Sequence, residues 1–149
     1  MVENRDNIIE QTTAIIWRQG ATGLEFLLVQ ELDGIWSLPG GARDPEDETL
    51  LDAIKRELRE ELDLETSEYE ITPTEVVIRF LYDRPSSSRY GKTGVLSLFL
   101  VKPINDQDIA PTADLKSVIW CNVQAAKNTL VFAHHKEIVD RAAKLISVN

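Results

Sequence analysis

The chain has 149 residues, 43% of them hydrophobic, which is enough for one sizeable core and not for two. Its formal net charge of −9 repels the phosphate backbone, excluding broad non-specific nucleic-acid binding. The longest apolar stretch, residues 95–101 with Ser97 inside, is too short to span a bilayer, so no membrane partner is expected.

Met1-Val2-Glu3-Asn4-Arg5-Asp6 is polar and acidic, which argues against a signal peptide and makes a cytoplasmic location the expectation. Residues 12–18 and 24–30 are β-rich and separated by Gly20 and Gly23, so they predict a hairpin. Residues 36–39 predict a short strand running into Gly40-Gly41. Thr49 with Asp52 three residues on is a capping-box pattern and marks the start of a helix. Asp44-Pro45 offers an earlier start, ranked second because the Leu and Ile periodicity begins only at Leu50. Leu51, Ile54, Leu58 and Leu62 then repeat at helical spacing, a stripe that pins the helix to a core. Residues 75–82 and 93–102 predict two more strands around a polar loop, 83–92. Residues 117–122 predict a last strand, in which the lone Cys121 beside Trp120 reads as a buried structural thiol. Residues 134–146 predict an amphipathic terminal helix, with Ile138, Val139, Ala142, Leu145 and Ile146 apolar. There is no internal repeat.

Charge is concentrated in the first helix and its flanks. Residues 44–70 hold 12 acidic and 3 basic residues, so the rest of the chain is balanced. Glu57, Glu60 and Glu61 stand at i, i+3 and i+4, positions that share one helix face and bring like charges together. A hard divalent cation with oxygen ligands turns that repulsion into coordination. The run Arg56-Glu57-Leu58-Arg59-Glu60-Glu61-Leu62-Asp63-Leu64, following Leu38-Pro39-Gly40-Gly41, resembles the box of the Nudix hydrolase family. That box is written Gly-x5-Glu-x7-Arg-Glu-U-x-Glu-Glu-x-Gly-U, with U a bulky aliphatic residue. From Glu48 onward every fixed position matches except Asp63, which stands in place of the second glycine. Six residues rather than five separate Gly41 from Glu48, which predicts a bulge at 43–47 that leaves the helix register intact. Aspartate enters the left-handed conformation at modest cost, so the helix is expected to end at Leu62 or Asp63. The resemblance implies an α/β fold, a Nudix-type α/β/α sandwich around a mixed β-sheet, in one domain over 1–149.

The resemblance also implies a function. It is metal-dependent hydrolysis, by water attack at phosphorus, of a nucleoside diphosphate linked to another moiety, with a dinucleoside polyphosphate or a nucleoside triphosphate as substrate. Glu57, Glu60 and Glu61 fall on the family's ligand positions for Mg²⁺ or Mn²⁺, with the backbone at Gly40 helping to hold the ion. Arg56 would orient carboxylates of the site, and Glu48 would bond Arg56 or fix the loop. Tyr82, 18 residues after Leu64, resembles the tyrosine marker of dinucleoside polyphosphate hydrolases. No proline lies between Thr74 and Arg84, where the marker of ADP-ribose pyrophosphatases would fall. Arg84, Arg89, Tyr90 and Lys92 are candidates for contacts to phosphate or base, and Asp114 for an extra acid from outside the box. His134 and His135 read as solvent-facing or helix-end residues. The expected partner is a nucleotide-type small molecule, with the protein a monomer or homodimer. The alternative is a non-catalytic Nudix-fold nucleotide-binding or regulatory module, which has no physical need for three mutually repelling glutamates.

Overall fold

The computed structural model describes residues 7–105 and 107–148; the polar residues 1–6, read above against a signal peptide, lie outside them. Strands β1 (Ile8–Gly20) and β2 (Gly23–Gln30) form the expected hairpin, with Trp17 opposite Phe26 and Gly20 opposite Gly23. Gly23 makes the tight reversal possible at φ 125°. β3 (Trp36–Ser37) extends the sheet beside β2, and β4 (Gly40–Ala42) returns antiparallel to β1. After helix α1 (Leu50–Leu62) come β5 (Tyr69–Leu81), β6 (Thr93–Pro103) and β7 (Ser117–Asn122). Helices α2 (Val123–Thr129) and α3 (Ala133–Val148) close the order.

The sheet runs β3-β2-β1-β6-β5, with β4 on β1 and β7 on β2. β1 and β6 are parallel, Ile8 beside Thr93 and Ile16 beside Val101, while the other pairs are antiparallel, so the sheet is mixed. Alternation along β1 divides the core. Ile15 packs with Ile138, Val139 and Ala142 of α3, whereas Ala14 and Ile16 pack with Ile54, Leu58 and Leu62 of α1. The expected three-layer arrangement follows. Each fully buried Leu or Ile contributes roughly 1.5–3 kcal/mol, so the α1 stripe alone holds that helix, and its acidic face, firmly on the sheet.

Both ends of α1 are set locally. Thr49 Oγ1 accepts from the Asp52 N–H at 3.1 Å and Asp52 Oδ2 accepts from the Thr49 N–H at 3.2 Å, completing the capping box. At the other end Asp63 adopts φ 53°, ψ 35°, its N–H bonding back to Arg59, and the Leu64 N–H reaches the Leu58 carbonyl. The aspartate thus does the work of the missing glycine.

The sequence reading shortened one strand and missed some short elements. β5, expected over 75–82, begins at Tyr69; Pro73 is tolerated on the sheet's edge, at a register shift between Pro73 and Val77. α2 is only seven residues long and is started by Asn122, whose Oδ1 accepts from the Ala125 N–H at 2.8 Å. β4 is the glycine loop itself, drawn into pairing with Gln11, Thr12 and Thr13. Among the described residues no helix is long and apolar enough to cross a membrane.

Candidate functional site

The glycine pair and the acidic helix meet because β4 carries Gly40 and Gly41 directly under α1. Gly40 has φ 139°, and a Cβ there would stand 2.1 Å from the Thr12 carbonyl oxygen of β1. Only glycine fits such an approach. The Gly40 N–H donates to Glu61 Oε1 at 2.9 Å. A Cβ at Gly41 would lie 2.6 Å from Glu57 Oε1, so that glycine leaves room for the second carboxylate.

Glu61 is buried, and desolvation pushes its pKa up to about 8 despite the Gly40 hydrogen bond; the negative charge of Glu57 adds to the effect. Burial likewise raises Glu57 to about 7, against the opposing pull of Arg56. Glu60 is half-exposed.

Arg56 is the hub of the site. Its Nη1 donates to Glu57 Oε1 at 3.0 Å and to Glu60 Oε2 at 3.1 Å, and its Nη2 donates to the Ala42 carbonyl at 3.1 Å. On its other side the guanidinium grips Asp47, with Nε 3.2 Å and Nη2 3.0 Å from Oδ2. Asp47 Oδ2 also accepts from the Asp44 N–H at 2.9 Å, and the Arg56 hydrogen bond holds this carboxyl below the usual range. Asp44 adds a looser ion pair at 3.6 Å.

Glu48, expected to bond Arg56 or fix the loop, does not bond Arg56. Its side chain is exposed, and its backbone carbonyl instead accepts from Arg43 Nη2 at 2.8 Å. Asp47 follows Gly41 after five residues, the spacing of the box, with a shorter acid in the glutamate's position. The additional residue therefore lies between Asp47 and α1, not in a bulge at 43–47. Counting forward from the glycine, rather than back from the helix, would have found it.

The three glutamates are held by Arg56 and Gly40 rather than gathered about one point. Among the described residues no group of three His, Cys, Asp or Glu side chains is arranged to hold a metal ion. The donor chemistry nonetheless suits a hard cation. Two carboxylates largely shielded from water, with raised proton affinity and a backbone loop beside them, present oxygen donors of the kind such an ion takes in exchange for their protons.

A cleft of about 870 Å³ runs from Gly40 and Gly41 to the start of α3. Tyr82, Arg84 and Arg89 all line it, whereas Tyr90 and Lys92 do not. Tyr82 Oη bonds both Gln11 Nε2 and Arg89 Nη1, the latter at 3.2 Å, and the Arg89 guanidinium stands over its ring at 5.7 Å. Asp114 is exposed and lies off the cleft. Its loop is tied to the end of α1 by the Thr112 N–H on the Glu61 carbonyl at 2.9 Å, and its charge contributes to the rise at Glu61.

His134 and His135 are not solvent-facing. Both line the cleft; His134 stacks on Phe80 at 3.6 Å, and burial lowers the two imidazoles to about 4 and about 3. Glu31 was also missed. It lines the cleft, accepting from the buried Ser37 hydroxyl at 2.8 Å. No spacing in the sequence marks it, because it comes from the turn between β2 and β3.

The family model described as NUDIX domain matches residues 10–142. A C. elegans Ap4A hydrolase in a binary complex superposes with a TM-score of 0.77 at 22% identity, over 95% of this chain and 99% of that one. The E. coli dihydroneopterin triphosphate pyrophosphohydrolase gives 0.76 at 18% identity, over 89% and 92%. The NUDIX domain of Shewanella oneidensis NrtR, complexed with ADP ribose, gives 0.72 at 19%, over 93% and 88%. No curated protein matches the chain. With the family model covering nearly the whole length and the box helix standing over its glycine loop, the chain belongs to the Nudix family.

Proposed function

We propose that the protein is a metal-dependent pyrophosphohydrolase acting on a nucleoside diphosphate linked to another moiety. The observation that carries this reading is the placement of two carboxylates, buried Glu61 and half-buried Glu57, against Gly40-Gly41: the Gly40 N–H donates to Glu61, and only a glycine at 41 leaves room for Glu57. Such a pair is unfavourable in a merely structural helix and suits a divalent cation. Glu57, Glu60, Glu61 and the Gly40 backbone would hold Mg²⁺ or Mn²⁺. When bound, the ion supplies charge neutralisation on the pyrophosphate and a more acidic water.

The chain's own groups do the remaining work. Arg56, fixed by Asp47, orients Glu57 and Glu60, and the Gly40 N–H orients Glu61. Arg84 and Arg89 offer cations to phosphates entering the cleft, while the Tyr82 ring offers a face to a base. The resemblance leaves dinucleoside polyphosphates and nucleoside triphosphates as the substrate classes; the similar structures include hydrolases named for Ap4A and dihydroneopterin triphosphate, and a NUDIX domain complexed with ADP ribose. A regulatory module that only binds nucleotide would have no use for desolvated glutamates.

The test is product release from a panel of nucleotides with Mg²⁺ and with Mn²⁺. Activity should vanish in EDTA and return on adding either ion. Glu61→Gln should lower turnover by about a hundredfold or more, as loss of a key electrostatic group does. Full activity under thorough chelation, or an unchanged rate in the variant, would overturn the reading.

A further inference from the structure

The first turn of α3 opens onto the cleft with its backbone donors only partly used. The His135 and Lys136 N–H groups share the Phe132 carbonyl, at 3.1 and 3.2 Å. Those of Ala133 and His134 have no acceptor among the described residues, and Phe132, in the capping position, has no side-chain oxygen to offer them. Ala133, His134 and His135 all line the cleft. The imidazole of His135 points the same way independently. It is held edge-on to the rings of Phe132 at 5.6 Å and His134 at 4.5 Å, and its buried Nδ1 has no hydrogen-bond partner among the described residues. A buried N–H without an acceptor is rarer than an unused lone pair, so the neutral ring carries its proton on Nε2 and is a fixed donor. Arg84 adds a cation. Its guanidinium stands 5.6 Å over Phe132 and has no ion pair or hydrogen bond among the described residues. Stacking uses its face and leaves its N–H edge free.

We propose that the first turn of α3, with His135 and Arg84, is an anion subsite for a phosphate group, at the end of the cleft away from the carboxylates under α1. Two open N–H groups at the positive end of a sixteen-residue helix favour negative charge. Phosphate suits the donor set better than carboxylate does. Its three peripheral oxygens can meet two backbone N–H groups, the guanidinium edge and the imidazole together, whereas two oxygens would leave donors unused. One charge opposes it: Asp83 lines the cleft and acts on His134, but it is exposed, where solvent screens it. Two sources carry this chemistry. One is a phosphate of the substrate remote from the anhydride that is cleaved, which rests on the function proposed above and deepens it. The other is free inorganic phosphate.

The experiment follows the backbone amide resonances of the full chain in EDTA as inorganic phosphate is added. Without a cation the carboxylates repel phosphate, so binding at their end of the cleft does not contribute. Saturable shifts centred on Ala133 and His134 are expected. Ala133→Pro removes one donor at the first helical position, where proline is tolerated, and should weaken phosphate binding about tenfold. Arg84→Gln, which leaves the backbone alone, should weaken it as well, and thermal melts check that both variants are folded. No saturable shift at α3, shifts confined to the Arg89 loop, or unchanged affinity in both variants overturns the subsite even where nucleotides are hydrolysed. Turnover of the best nucleotide of the Mg²⁺ panel then separates the sources. With a substrate phosphate, Ala133→Pro raises KM about tenfold and inorganic phosphate competes; with a free ion, KM is unchanged. Phosphate binding at α3 in a protein that hydrolyses no nucleotide overturns the enzymatic reading and leaves the subsite standing.

Discussion

Replacing Asp47 by asparagine keeps the side chain's size and removes the charge that Arg56 grips from two nitrogens. Asp47 is 7% exposed and Arg56 20% exposed, yet the pair sits close to the surface, sealed by the arginine and its own turn rather than by depth. Breaking a fully buried ion pair costs about 3–5 kcal/mol and an exposed one under about 1 kcal/mol. Arg56 retains Glu57, Glu60 and Asp44, so its charge is not stranded, and an intermediate loss of about 2 kcal/mol is expected. For a chain of this length that is a fall in Tm of about 4–8 °C. Glu48→Gln, an exposed change, should cost less than about 0.5 kcal/mol. Urea melts of the two variants and the wild type, followed by circular dichroism, measure the difference directly. The hydrogen bond from Arg56 lowers the Asp47 pKa below its ordinary 3.8, so its stabilisation is complete above that value and is lost as pH falls through the lowered one. The gap between wild type and Asp47→Asn should accordingly close in strong acid. Equal losses in the two variants, or a larger loss in Glu48→Gln, would refute the register that assigns Arg56 to Asp47.

The site's titrating groups predict a broad stability maximum for the metal-free protein near pH 5.5, where the protons that Glu57 and Glu61 keep in the fold balance those that His134 and His135 take up only on unfolding. Above it, Glu57 and Glu61 hold protons that the unfolded chain has released, so stability falls by on the order of 2 kcal/mol up to pH 8. Below it, the unfolded chain protonates histidines that the fold keeps neutral, so stability falls again. Mg²⁺ or Mn²⁺ should raise Tm most at pH 8 and, at pH 7, release protons seen by calorimetry in two buffers; a flat profile from pH 6.5 to 8 in EDTA contradicts it. Gly40→Ala should cost about 3 kcal/mol or more, since its Cβ meets the β1 backbone at a strained φ. Gly91→Ala, with φ 84° and nothing within 4 Å, should cost only about 1 kcal/mol. Comparable Tm values for the two alanine variants would sink that argument.

Much of the scaffold was legible because local chemistry and tertiary context agree. The Thr49 cap, the Leu and Ile stripe of α1 and the β-rich flanks of Gly20 and Gly23 each specify the conformation they adopt. The reading failed where a distant partner overrides a local signal. Pro73 looks like a strand breaker until β5 is known to be an edge, and nothing in Gly40-Gly41-Ala42 announces that β1 will pair with it. In the site, the glutamates are marked by spacing on one helix. Phe80, His134 and Glu31 come from three separate segments, and only the assembled sheet brings them to one cleft. Asp47 was missed for a narrower reason, since two adjacent acids satisfy the same pattern and only Arg56's reach distinguishes them.

The parallel junction at the sheet's centre constrains how the molecule comes into being. β1 precedes the other described strands, and its long-range mate β6 is joined to it in register from Ile8–Thr93 to Ile16–Val101. Local hairpin contacts with β2 can form early, but the middle of the sheet must wait for most of the chain. During synthesis the apolar row Ala14-Ile15-Ile16 would therefore stand as an open edge for seconds, at the usual pace of about 5–20 residues per second. Nascent chains that stop short of β6 are predisposed to associate through that edge, and the acidic charge concentrated in residues 44–70 would, on such chains, serve to keep them apart.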